Sequence, residues 1–566
     1  MAQNPEAETY SSIPLAQLAV AACKAHGISR VVISPGSRNA PLTLGFTNDP
    51  YFDCFSIVDE RVAAFFGLGM SQFDGIPTVL ICTSGSAVLN YFPAVAEAYY
   101  SRIPLVVLSA DRPAHKIDIA DGQTIKQFGV FGDHVSFSAQ CQEDCGPESI
   151  NHHYFQEALN IAFSAKRPVH LNLPFEEPLY ELVEKPLVNY TLLHTPTQVA
   201  AMQLPVDFLD DFDRAERIMI IAGVMPPESV SFETLDKLLN DPRVLMLTET
   251  TSNLHHPKIV SGIDQLIAAL DSEELEQLRP DLLITFGGMV VSKKIKALLR
   301  GQAPKWHWHV DPLEAYDTYF ALKGHIQSTA THFVNELPEK QGTNRSSYQE
   351  DWLTKRDNFR ENHYRYLAAI PFSDLKVYGA VFDALPKGVI MQVANSAAIR
   401  YAQLFELPEN VAVYCNRGTS GIDGSTSTAI GHAVSSEKPV LFVTGDLSFF
   451  YDSNALWNNY TPANFRIILI NNSGGGIFRI LPGDKSKANF TTYFETVHGL
   501  RAESLAQMYG WGYSSANSIT ELQQHLGGGF WKGDRPAILE VFTPREANDQ
   551  LLLDYFATVK SGSIKD

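Results

Sequence analysis

The sequence predicts an α/β protein made of three consecutive domains, each a doubly wound parallel sheet. Short apolar strand candidates alternate with amphipathic helical stretches along the chain, which is the pattern of parallel sheets covered by helices. The chain has 566 residues, too many for a single hydrophobic core. Its composition, 45% hydrophobic and 19% charged, is typical of a globular enzyme.

The first predicted domain covers residues 1–188. Helical periodicity predicts helices at Ile13–His26, Arg61–Gln72 and Val88–Ser101. Apolar runs between them predict the strands Arg30–Ser34, Phe55–Val58, Thr78–Thr83, Leu105–Ser109 and Val169–Leu173. The stretch Tyr180–Val206 has three prolines and little periodicity, so it is expected to be a linker.

The second predicted domain covers residues 205–335 and the third covers residues 348–566, with the polar stretch Lys340–Ser347 between them. The strands expected in the second domain are Ile218–Ala222, Val244–Thr248, Leu282–Phe286 and Trp306–Val310. Those expected in the third are Val389–Val393, Val411–Tyr414, Val440–Val443, Arg466–Ile470 and Ala537–Val541.

Charge and composition argue against several classes of function. The formal net charge of −19 argues against nucleic-acid binding and against an anionic membrane surface. The N-terminal residues are acidic and lack the apolar core of a signal peptide, and no apolar run is long enough to cross a bilayer. The six cysteines lack the spacing of a zinc site. We therefore expect a cytoplasmic protein with reduced thiols and no membrane insertion.

Two strand ends in the third domain carry the residues that suit a hard cation. Asp446 follows Gly445 at the end of one predicted strand, and Asn472 lies in an Asn-Asn-Ser-Gly-Gly-Gly run at the end of the next. Parallel strands bring such ends to one edge of the sheet, where Mg²⁺ can share oxygen ligands with a phosphate. Each piece alone is also typical of an ordinary turn. Together they match the diphosphate-binding signature of thiamine-diphosphate enzymes.

Several charged residues also stand at predicted strand ends. Glu60 begins a helix, where it could simply compensate the helix dipole or could serve a cofactor. Arg400 and Arg417 could each clamp a substrate carboxylate, or could pair with a nearby acid. The loop Ser34–Pro41 could bind an anion or could be a tight turn with a helix cap.

Longer motifs identify a family. SPGSRNAPL at 34–42, DERVAAFFGLG at 59–69, SADRP at 109–113, NRGTSGIDGSTSTAIG at 416–431 and NNSGGGIF at 471–478 lie in both outer domains. With these motifs the chain resembles the MenD family, the 2-succinyl-5-enolpyruvyl-6-hydroxy-3-cyclohexene-1-carboxylate synthases of menaquinone biosynthesis. The resemblance implies the thiamine-diphosphate-binding fold.

The same resemblance implies a reaction and its cofactors. Family members use thiamine diphosphate with Mg²⁺, for which Mn²⁺ is an alternative, to decarboxylate 2-oxoglutarate. The succinyl carbanion equivalent then adds to isochorismate. Glu60 is the implied activating acid, since a carboxylic acid beside the aminopyrimidine favours the tautomer that takes the thiazolium C2 proton. Ser396, Arg400 and Arg417 complete the implied catalytic set.

The resemblance also assigns binding residues. The implied metal ligands are Asp446, Asn472 and the Gly474 carbonyl. The implied cofactor contacts are Glu60, Ser396, Gly421, Ile422, Gly445, Asp446, Leu447, Ser448, Asn472, Gly474, Gly475, Ile477 and Phe478. The implied substrate contacts are Ser37, Arg38, Arg112, Gln123, Lys293, Lys294, Arg400, Arg417, Phe478 and Leu481. Lys294 departs from the arginine that we expect in the family, and a lysine lacks the guanidinium fork.

In this superfamily one cofactor lies between the first domain of one chain and the third domain of another. The resemblance therefore implies a homodimer or a dimer of dimers. Two alternatives remain: another thiamine-diphosphate carboligase or decarboxylase, such as an acetolactate-synthase-like enzyme, and a non-catalytic relative of the fold. An NAD dehydrogenase is disfavoured because no G-x-G-x-x-G follows the first strand.

Overall fold

The computed structural model describes residues 9–146, 148–192, 203–338, 346–480 and 484–563. Within them the chain forms two compact units. Unit 1 comprises Met1–Thr197, Asn416–Lys438 and Ser448–Phe465. Unit 2 comprises Gln198–Cys415, Pro439–Leu447 and Arg466–Asp566. The division into three domains at the predicted boundaries stays a prediction.

Among the described residues, the N-terminal part of the chain forms eight strands and six α-helices. The strands are β1 Tyr10–Ser11, β2 Arg30–Ile33, β3 Asp53–Ser56, β4 Thr78–Cys82, β5 Leu105–Asp111, β6 Phe137–Gln140, β7 Val169–Pro174 and β8 Leu182–Val183. The helices are α1 Pro14–Ala25, α2 Ala40–Thr47, α3 Glu60–Asp74, α4 Ser86–Asn90, α5 Phe92–Ser101 and α6 Ile150–Ala165.

The middle part alternates in the same way. Its strands are β9 Ile218–Ala222, β10 Val244–Leu247, β11 Ile259–Val260, β12 Leu282–Phe286, β13 Trp306–Val310 and β14 Leu322–Ile326. Its helices are α7 Val206–Arg214, α8 Phe232–Leu239, α9 Ile263–Ala268, α10 Ser272–Leu278, α11 Lys293–Gly301 and α12 Ala330–Glu336.

The C-terminal part adds six strands and ten helices. The strands are β15 Ile390–Val393, β16 Ala412–Tyr414, β17 Val440–Gly445, β18 Phe465–Asn471, β19 Gly512–Ala516 and β20 Ala537–Phe542. The helices are α13 Tyr348–Ala369, α14 Asp374–Asp383, α15 Ala397–Ala402, α16 Ser425–Ser435, α17 Asp446–Tyr451, α18 Ile477–Ile480, α19 Ala488–Tyr493, α20 Glu503–Met508, α21 Ile519–Gly527 and α22 Asn548–Ser561.

Three parallel six-stranded sheets confirm the predicted α/β fold class. The first sheet has the order β3-β2-β4-β5-β7-β6, and the third has the equivalent order β16-β15-β17-β18-β20-β19. The second sheet has a different order, β11-β10-β9-β12-β13-β14. The carboxyl ends of β2 and β4, and likewise those of β15 and β17, therefore flank a point where the winding reverses, which is where ligands bind in open α/β sheets.

Most predicted strands are confirmed to within one or two residues, and two predictions need correction. The single helix predicted at Val88–Ser101 is two helices, because Pro93 has no backbone N–H to continue the first one beyond Tyr91. The predicted linker begins with a strand, since Leu182–Val183 pairs antiparallel with Tyr10–Ser11. The strands β1, β6, β8, β11, β14 and β19 were not predicted. No helix among the described residues is long and apolar enough to span a membrane.

In unit 1, helix α3 packs closely against α16. A β-carbon at Gly69 would lie 2.0 Å from the Thr428 carbonyl oxygen, and one at Gly431 would lie 1.9 Å from the Phe66 carbonyl oxygen. These distances are too short for any side chain, so the two glycines allow the helix backbones to touch. The contact places the helix that begins at Glu60 beside the helix that follows residues 416–424.

A buried carboxylate stabilises the start of α16. Asp452 is fully buried and accepts hydrogen bonds from the Ser427 backbone N–H at 2.7 Å and the Ser427 hydroxyl at 2.8 Å. The nearest cation is Arg61, 4.0 Å away. Burial raises the pKa of Asp452 to about 7, although the Ser427 bonds and Arg61 favour the charged form. The folded protein therefore holds a proton here that the unfolded chain releases near pH 4.

This raised pKa predicts a pH-dependent stability. Between about pH 4 and pH 7 the folded state binds more protons than the unfolded state, so the free energy of unfolding falls as pH rises. Asp452→Asn removes the titration and can keep both Ser427 bonds. Relative to the wild type, the variant should gain stability from pH 4.5 to pH 8, by at most about 4 kcal/mol. Urea unfolding across this pH range measures the difference.

The matched control is Asp133→Asn, which changes an exposed aspartate of the same unit. Its stability difference from the wild type should not vary over the same pH range. A constant difference for Asp452→Asn as well would contradict the raised pKa.

Candidate functional site

Asp446 lies at the carboxyl end of β17 and is 3% exposed. Its Oδ1 accepts the Leu447 backbone N–H at 2.7 Å, and its Oδ2 accepts the Gly474 backbone N–H at 3.0 Å. Gly474 follows β18, so the structure brings together the two strand ends that the sequence analysis selected. The carboxylate is thereby fixed at the edge of the third sheet.

His498 is a third neighbour of Asp446. Its Nδ1 accepts the Leu500 backbone N–H at 3.1 Å, so the proton of the neutral ring lies on Nε2. That Nε2 is 3.3 Å from Asp446 Oδ2, and the His498 backbone N–H donates to the Ser473 carbonyl at 3.2 Å. His498 therefore contacts both the carboxylate and the glycine-rich loop.

Asn472 is oriented by a second buried carboxylate. Its Nδ2 donates to Asp374 Oδ2 at 2.9 Å, while the Thr543 hydroxyl donates to the other Asp374 oxygen at 2.5 Å. With Nδ2 held by Asp374, the side-chain oxygen of Asn472 points to the opposite side of the amide. Burial raises the pKa of Asp374 to about 6, and the charge of Asp446 adds to the rise.

This arrangement fits a hard cation. The ligand set would be one carboxylate, one amide oxygen and one backbone carbonyl, and Mg²⁺ prefers oxygen ligands of these kinds. Two neighbouring carboxylates, Asp446 and Asp374, give the region the negative charge that a cation would neutralise. Among the described residues no group of three His, Cys, Asp or Glu side chains forms a metal site, so the candidate set depends on neutral ligands.

The glycine-rich loop leaves little room for side chains. Gly474 has φ = +156°, and a β-carbon there would lie 2.7 Å from the Glu495 carbonyl oxygen. The Gly475 backbone N–H donates to the same oxygen at 2.6 Å. Ile477 and Phe478 begin the short helix α18 and are partly buried, and Phe478 packs edge-on against Phe494 at 6.2 Å. Leu481 lies outside the described residues.

Ser396 and Arg400 lie across the switch point from Asp446, after β15. Ser396 has φ = +67°, a backbone conformation that costs free energy for a residue with a side chain. Ser420 and Ser473 also have positive φ, at +61° and +63°. Strained backbone of this kind concentrates at functional sites. Ser396 is itself a predicted site residue, and Ser420 and Ser473 lie in the predicted motifs at 416–431 and 471–478.

A second cluster lies at the carboxyl edge of the first sheet. A β-carbon at Gly36 would lie 2.3 Å from the β-carbon of Thr83, so the loop Ser34–Pro41 touches the loop after β4. Arg112 donates to the Ser84 hydroxyl at 2.9 Å and to the Gln123 carbonyl at 3.1 Å. These contacts bring three separately predicted loops together at the switch point between β2 and β4.

Arg38 lies near this cluster and is 5% exposed. It donates to the Phe175 carbonyl at 3.0 Å and to Glu177 at 3.1 Å. Burial raises the pKa of Asp111, whereas Asn172, Arg112 and Arg38 lower it. Two guanidinium groups therefore share the field of one buried carboxylate, while Arg38 also pairs with Glu177 and Arg112 lies 3.5 Å from Asp121. Ser37 and Gln123 are exposed beside them, and Gln123 has φ = +56°.

Glu60 is the first residue of α3, directly after the cap residue Asp59. Its charge raises the pKa of the buried Cys82 thiol and Tyr91 hydroxyl, although burial is the larger cause for both. Glu60 therefore lies near the end of β4, on the same sheet edge as the arginine cluster.

The loop of residues 416–424 holds Arg417, Gly421 and Ile422. The Ser448 hydroxyl donates to the Ile422 carbonyl at 3.1 Å. A β-carbon at Gly424 would lie 2.1 Å from the Phe65 ring, so the end of the loop touches α3. The roles of these residues stay predictions.

Lys293 and Lys294 begin α11 and are exposed. The Lys294 ammonium lies 5.1 Å from the centroid of the Phe556 ring in α22. The start of α11 is fixed by Glu249, which is 3% exposed and accepts the backbone N–H groups of Val291 and Ser292 at 2.6 and 2.7 Å. Lys294 is thus engaged with an aromatic ring, which a lysine can do without a guanidinium fork.

Sequence patterns did not reveal several residues that shape these sites, namely Asp374, Glu249 and His498. Asp374 follows Ser373 at a helix start, so its local pattern predicts only a helix N-terminus. His498 comes 24 residues after Gly474 and has no local motif. Their contacts depend on distant parts of the chain, which local patterns do not reveal.

Comparisons with known proteins define the class. Residues 13–140 match the thiamine pyrophosphate enzyme, N-terminal TPP binding domain, and residues 395–541 match the corresponding C-terminal TPP binding domain. The two matched segments contain the arginine cluster, Glu60, Asp446 and the glycine-rich loop. The chain therefore has the fold and the two cofactor-binding domains of thiamine-diphosphate enzymes.

Full-length relatives identify the family. A 2-succinyl-5-enolpyruvyl-6-hydroxy-3-cyclohexene-1-carboxylate synthase of Christiangramia forsetii is 48% identical over 98% of this chain and 100% of the relative. Synthases of the same name from Flavobacterium johnsoniae and Bacteroides fragilis are 49% and 37% identical, over 97% and 96% of this chain and 99% and 98% of the relatives. The chain belongs to this synthase family.

The geometry of Asp446 leads to a test of metal binding. Asp446→Asn keeps the side chain's size and an oxygen for the Leu447 N–H but removes the charge. Mg²⁺ affinity at saturating thiamine diphosphate should fall by at least about tenfold, because the cation loses its one charged ligand. Isothermal titration with Mg²⁺ measures the change.

Asp484→Asn is the control, since Asp484 is an exposed carboxylate of the same unit. This control should bind Mg²⁺ with the same affinity as the wild type in the isothermal titration. If Asp446→Asn and the control bind Mg²⁺ equally well, Asp446 is not a ligand.

Proposed function

We propose that this protein joins 2-oxoglutarate to isochorismate with loss of CO₂, as a thiamine-diphosphate- and Mg²⁺-dependent transferase of menaquinone biosynthesis. The observation that carries the proposal is the convergence of Asp446 and Gly474 at one sheet edge, in a chain that is 48% identical to a named synthase over nearly its full length. We also infer a cytoplasmic location, which agrees with six free thiols.

Each cofactor group has a matching residue in this proposal. Asp446, Asn472 and the Gly474 carbonyl would hold Mg²⁺, with Gly445, Leu447, Ser448 and Gly475 close to the phosphates. When bound, thiamine diphosphate supplies the stabilisation of negative charge at the former 2-oxo carbon after CO₂ leaves. Glu60 would hold a proton against the pyrimidine ring. Ile422 would support the bent cofactor, and Ile477 and Phe478 would exclude water from it.

The two substrates are both dicarboxylates, and they call for different cationic groups. Arg400 and Arg417 are proposed to bind the carboxylates of 2-oxoglutarate, with Ser396 beside the reacting carbon. Arg38, Arg112 and Gln123 are proposed to bind isochorismate, because their loops already meet at the edge of the first sheet. Ser37, Lys293, Lys294, Phe478 and Leu481 would complete this substrate site. Such local positive charge can bind anions although the whole chain is acidic.

The decisive experiment measures the reaction itself. Purified protein should consume isochorismate only when 2-oxoglutarate, thiamine diphosphate and Mg²⁺ are all present, with one CO₂ released for each isochorismate lost. Pyruvate in place of 2-oxoglutarate separates this function from that of an acetolactate-synthase-like enzyme. Turnover of pyruvate but not of 2-oxoglutarate would overturn the proposal, and cofactor binding without any turnover would favour a non-catalytic relative.

We propose that the protein works as a homodimer, or a dimer of dimers, in which Glu60 serves a cofactor held by Asp446 of the other chain. Large apolar side chains near Glu60 in unit 1 support an interface, because Val58, Tyr451 and Trp457 are 48%, 53% and 52% exposed. A site formed by residues of a single chain is the alternative. The two arrangements predict opposite results when variant chains are mixed.

Dimers made of two different variant chains distinguish a site shared between chains from a site within one chain. A dimer of one Glu60→Gln chain and one Asp446→Asn chain, isolated with two different tags, should have about half the wild-type activity, because one of its two shared sites is intact. A site within each chain predicts only the residual activity of the two variants. Turnover per purified heterodimer measures the outcome.

The reciprocal control pairs a wild-type chain with a chain that carries both substitutions. Here the shared-site arrangement leaves no intact site, whereas the single-chain arrangement leaves one. Half activity in this control, together with none in the first mixture, would show that Glu60 acts within its own chain.

A further inference from the structure

Glu97 is a buried carboxylate that takes no part in the sites described above. It lies in α5 and is 1% exposed. Its Oε1 accepts the Gly418 backbone N–H and the Ser101 hydroxyl, both at 2.7 Å. Its Oε2 accepts the Thr419 backbone N–H at 2.6 Å and the Thr419 hydroxyl at 2.8 Å. Four donors therefore converge on one side chain.

Three of these four bonds come from the loop of residues 416–424. A carboxylate suits this position because it only accepts hydrogen bonds and has enough lone pairs for all four donors. Bonds to a buried charged acceptor are also stronger than bonds between neutral groups. A buried carboxylate without such partners would be costly, so α5 and the loop hold each other in place.

The loop is shaped for this contact. A β-carbon at Gly418 would lie 2.4 Å from the Glu97 carbonyl oxygen, so only glycine allows the approach. Ser420, two residues further, has φ = +61°, and the Ser448 hydroxyl fixes the Ile422 carbonyl at 3.1 Å. The loop is thus fixed at residues 418–419 by Glu97 and at residue 422 by Ser448.

Arg417 immediately precedes the bonds to Glu97, and Ile422 follows them. We propose that Glu97 is a positioning residue that holds this loop in the shape that directs Arg417 toward the substrate carboxylate and Ile422 toward the cofactor. The inference rests on the proposed function for the roles of Arg417 and Ile422. Glu97 itself contacts neither substrate nor cofactor and acts only through the backbone of Gly418 and Thr419.

Glu97→Gln is the sharpest variant because it has the same shape. It replaces one carboxylate oxygen by an NH₂ group, which then faces donors and cannot accept from them. We expect kcat/KM for 2-oxoglutarate to fall by about tenfold to a hundredfold, the cost of losing one or two charged hydrogen bonds at a positioned loop. The control is Glu157→Gln, the same change at a half-exposed glutamate that pairs with His153, and it should stay within about twofold of the wild type.

A double-mutant cycle separates positioning from general structural damage. If Glu97 acts through Arg417, then Glu97→Gln should lower kcat/KM by less than about twofold in the Arg417→Ala background, because the group it positions is already gone. Independent structural damage would instead multiply the two losses. Multiplied losses, or wild-type kinetics for Glu97→Gln, would overturn the proposal.

Two further measurements do not depend on turnover. Amide hydrogen exchange in the peptide covering residues 416–424 should speed up in Glu97→Gln and stay unchanged in Glu157→Gln. The affinity of Glu97→Gln for thiamine diphosphate, measured by fluorescence titration, should also be lower than that of the wild type. If the wild type binds the cofactor but lacks the proposed reaction, the proposed function fails, while these two readouts still decide the role of Glu97.

Thr419→Val provides a second test in case Glu97→Gln does not fold. It removes one hydroxyl donor and leaves the carboxylate with three partners. Faster exchange of the same loop and a smaller loss of kcat/KM in the same direction are expected. Unchanged exchange and kinetics in Thr419→Val would count against the proposal.

Discussion

The hydrogen bond from the Gly474 backbone N–H to the Asp446 carboxylate is the contact on which the candidate cofactor site depends. It joins the ends of two adjacent strands, β17 and β18, and so places a carboxylate beside a loop with almost no side chains. A diphosphate and its metal ion need both features at one place, because the ion requires a charged ligand and the phosphates require close backbone. Neither strand end provides this chemistry alone.

Sheet topology explains why the first and third sheets, rather than the second, hold most of the candidate residues, of which only Lys293 and Lys294 follow a strand of the second sheet. The first and third sheets share one strand order, and each presents polar loops at its switch point. The central sheet has the order typical of dinucleotide-binding folds. At its switch point, however, a β-carbon on Gly223 would lie 1.9 Å from the Gly288 carbonyl oxygen. The loops after β9 and β12 therefore touch through their backbones at this point.

The sequence predicted the strands of the sheets more accurately than the contacts that side chains make with distant loops. Strands such as Leu282–Phe286 and Ile218–Ala222 were predicted to the residue because a buried parallel strand is a continuous apolar run. Edge strands such as β14, Leu322–Ile326, were missed because they are polar and half exposed. Motifs located Asp446 and Glu60, since both stand at the junction of a strand and a helix. Asp374 and Glu97 were not found, because each acts on a partner that is 98 or more residues away.

Buried carboxylates shape several of the loops that hold predicted functional residues. Asp374 orients Asn472, and Glu97 fixes residues 418–419. In each case an aspartate or glutamate accepts hydrogen bonds from a loop or helix end next to a predicted functional residue. A carboxylate can do this because it only accepts, so several donors from one loop must adopt a single arrangement to satisfy it. Part of the chain's acidic character thus lies inside the protein, where it shapes loops that are proposed to bind anions and a cation.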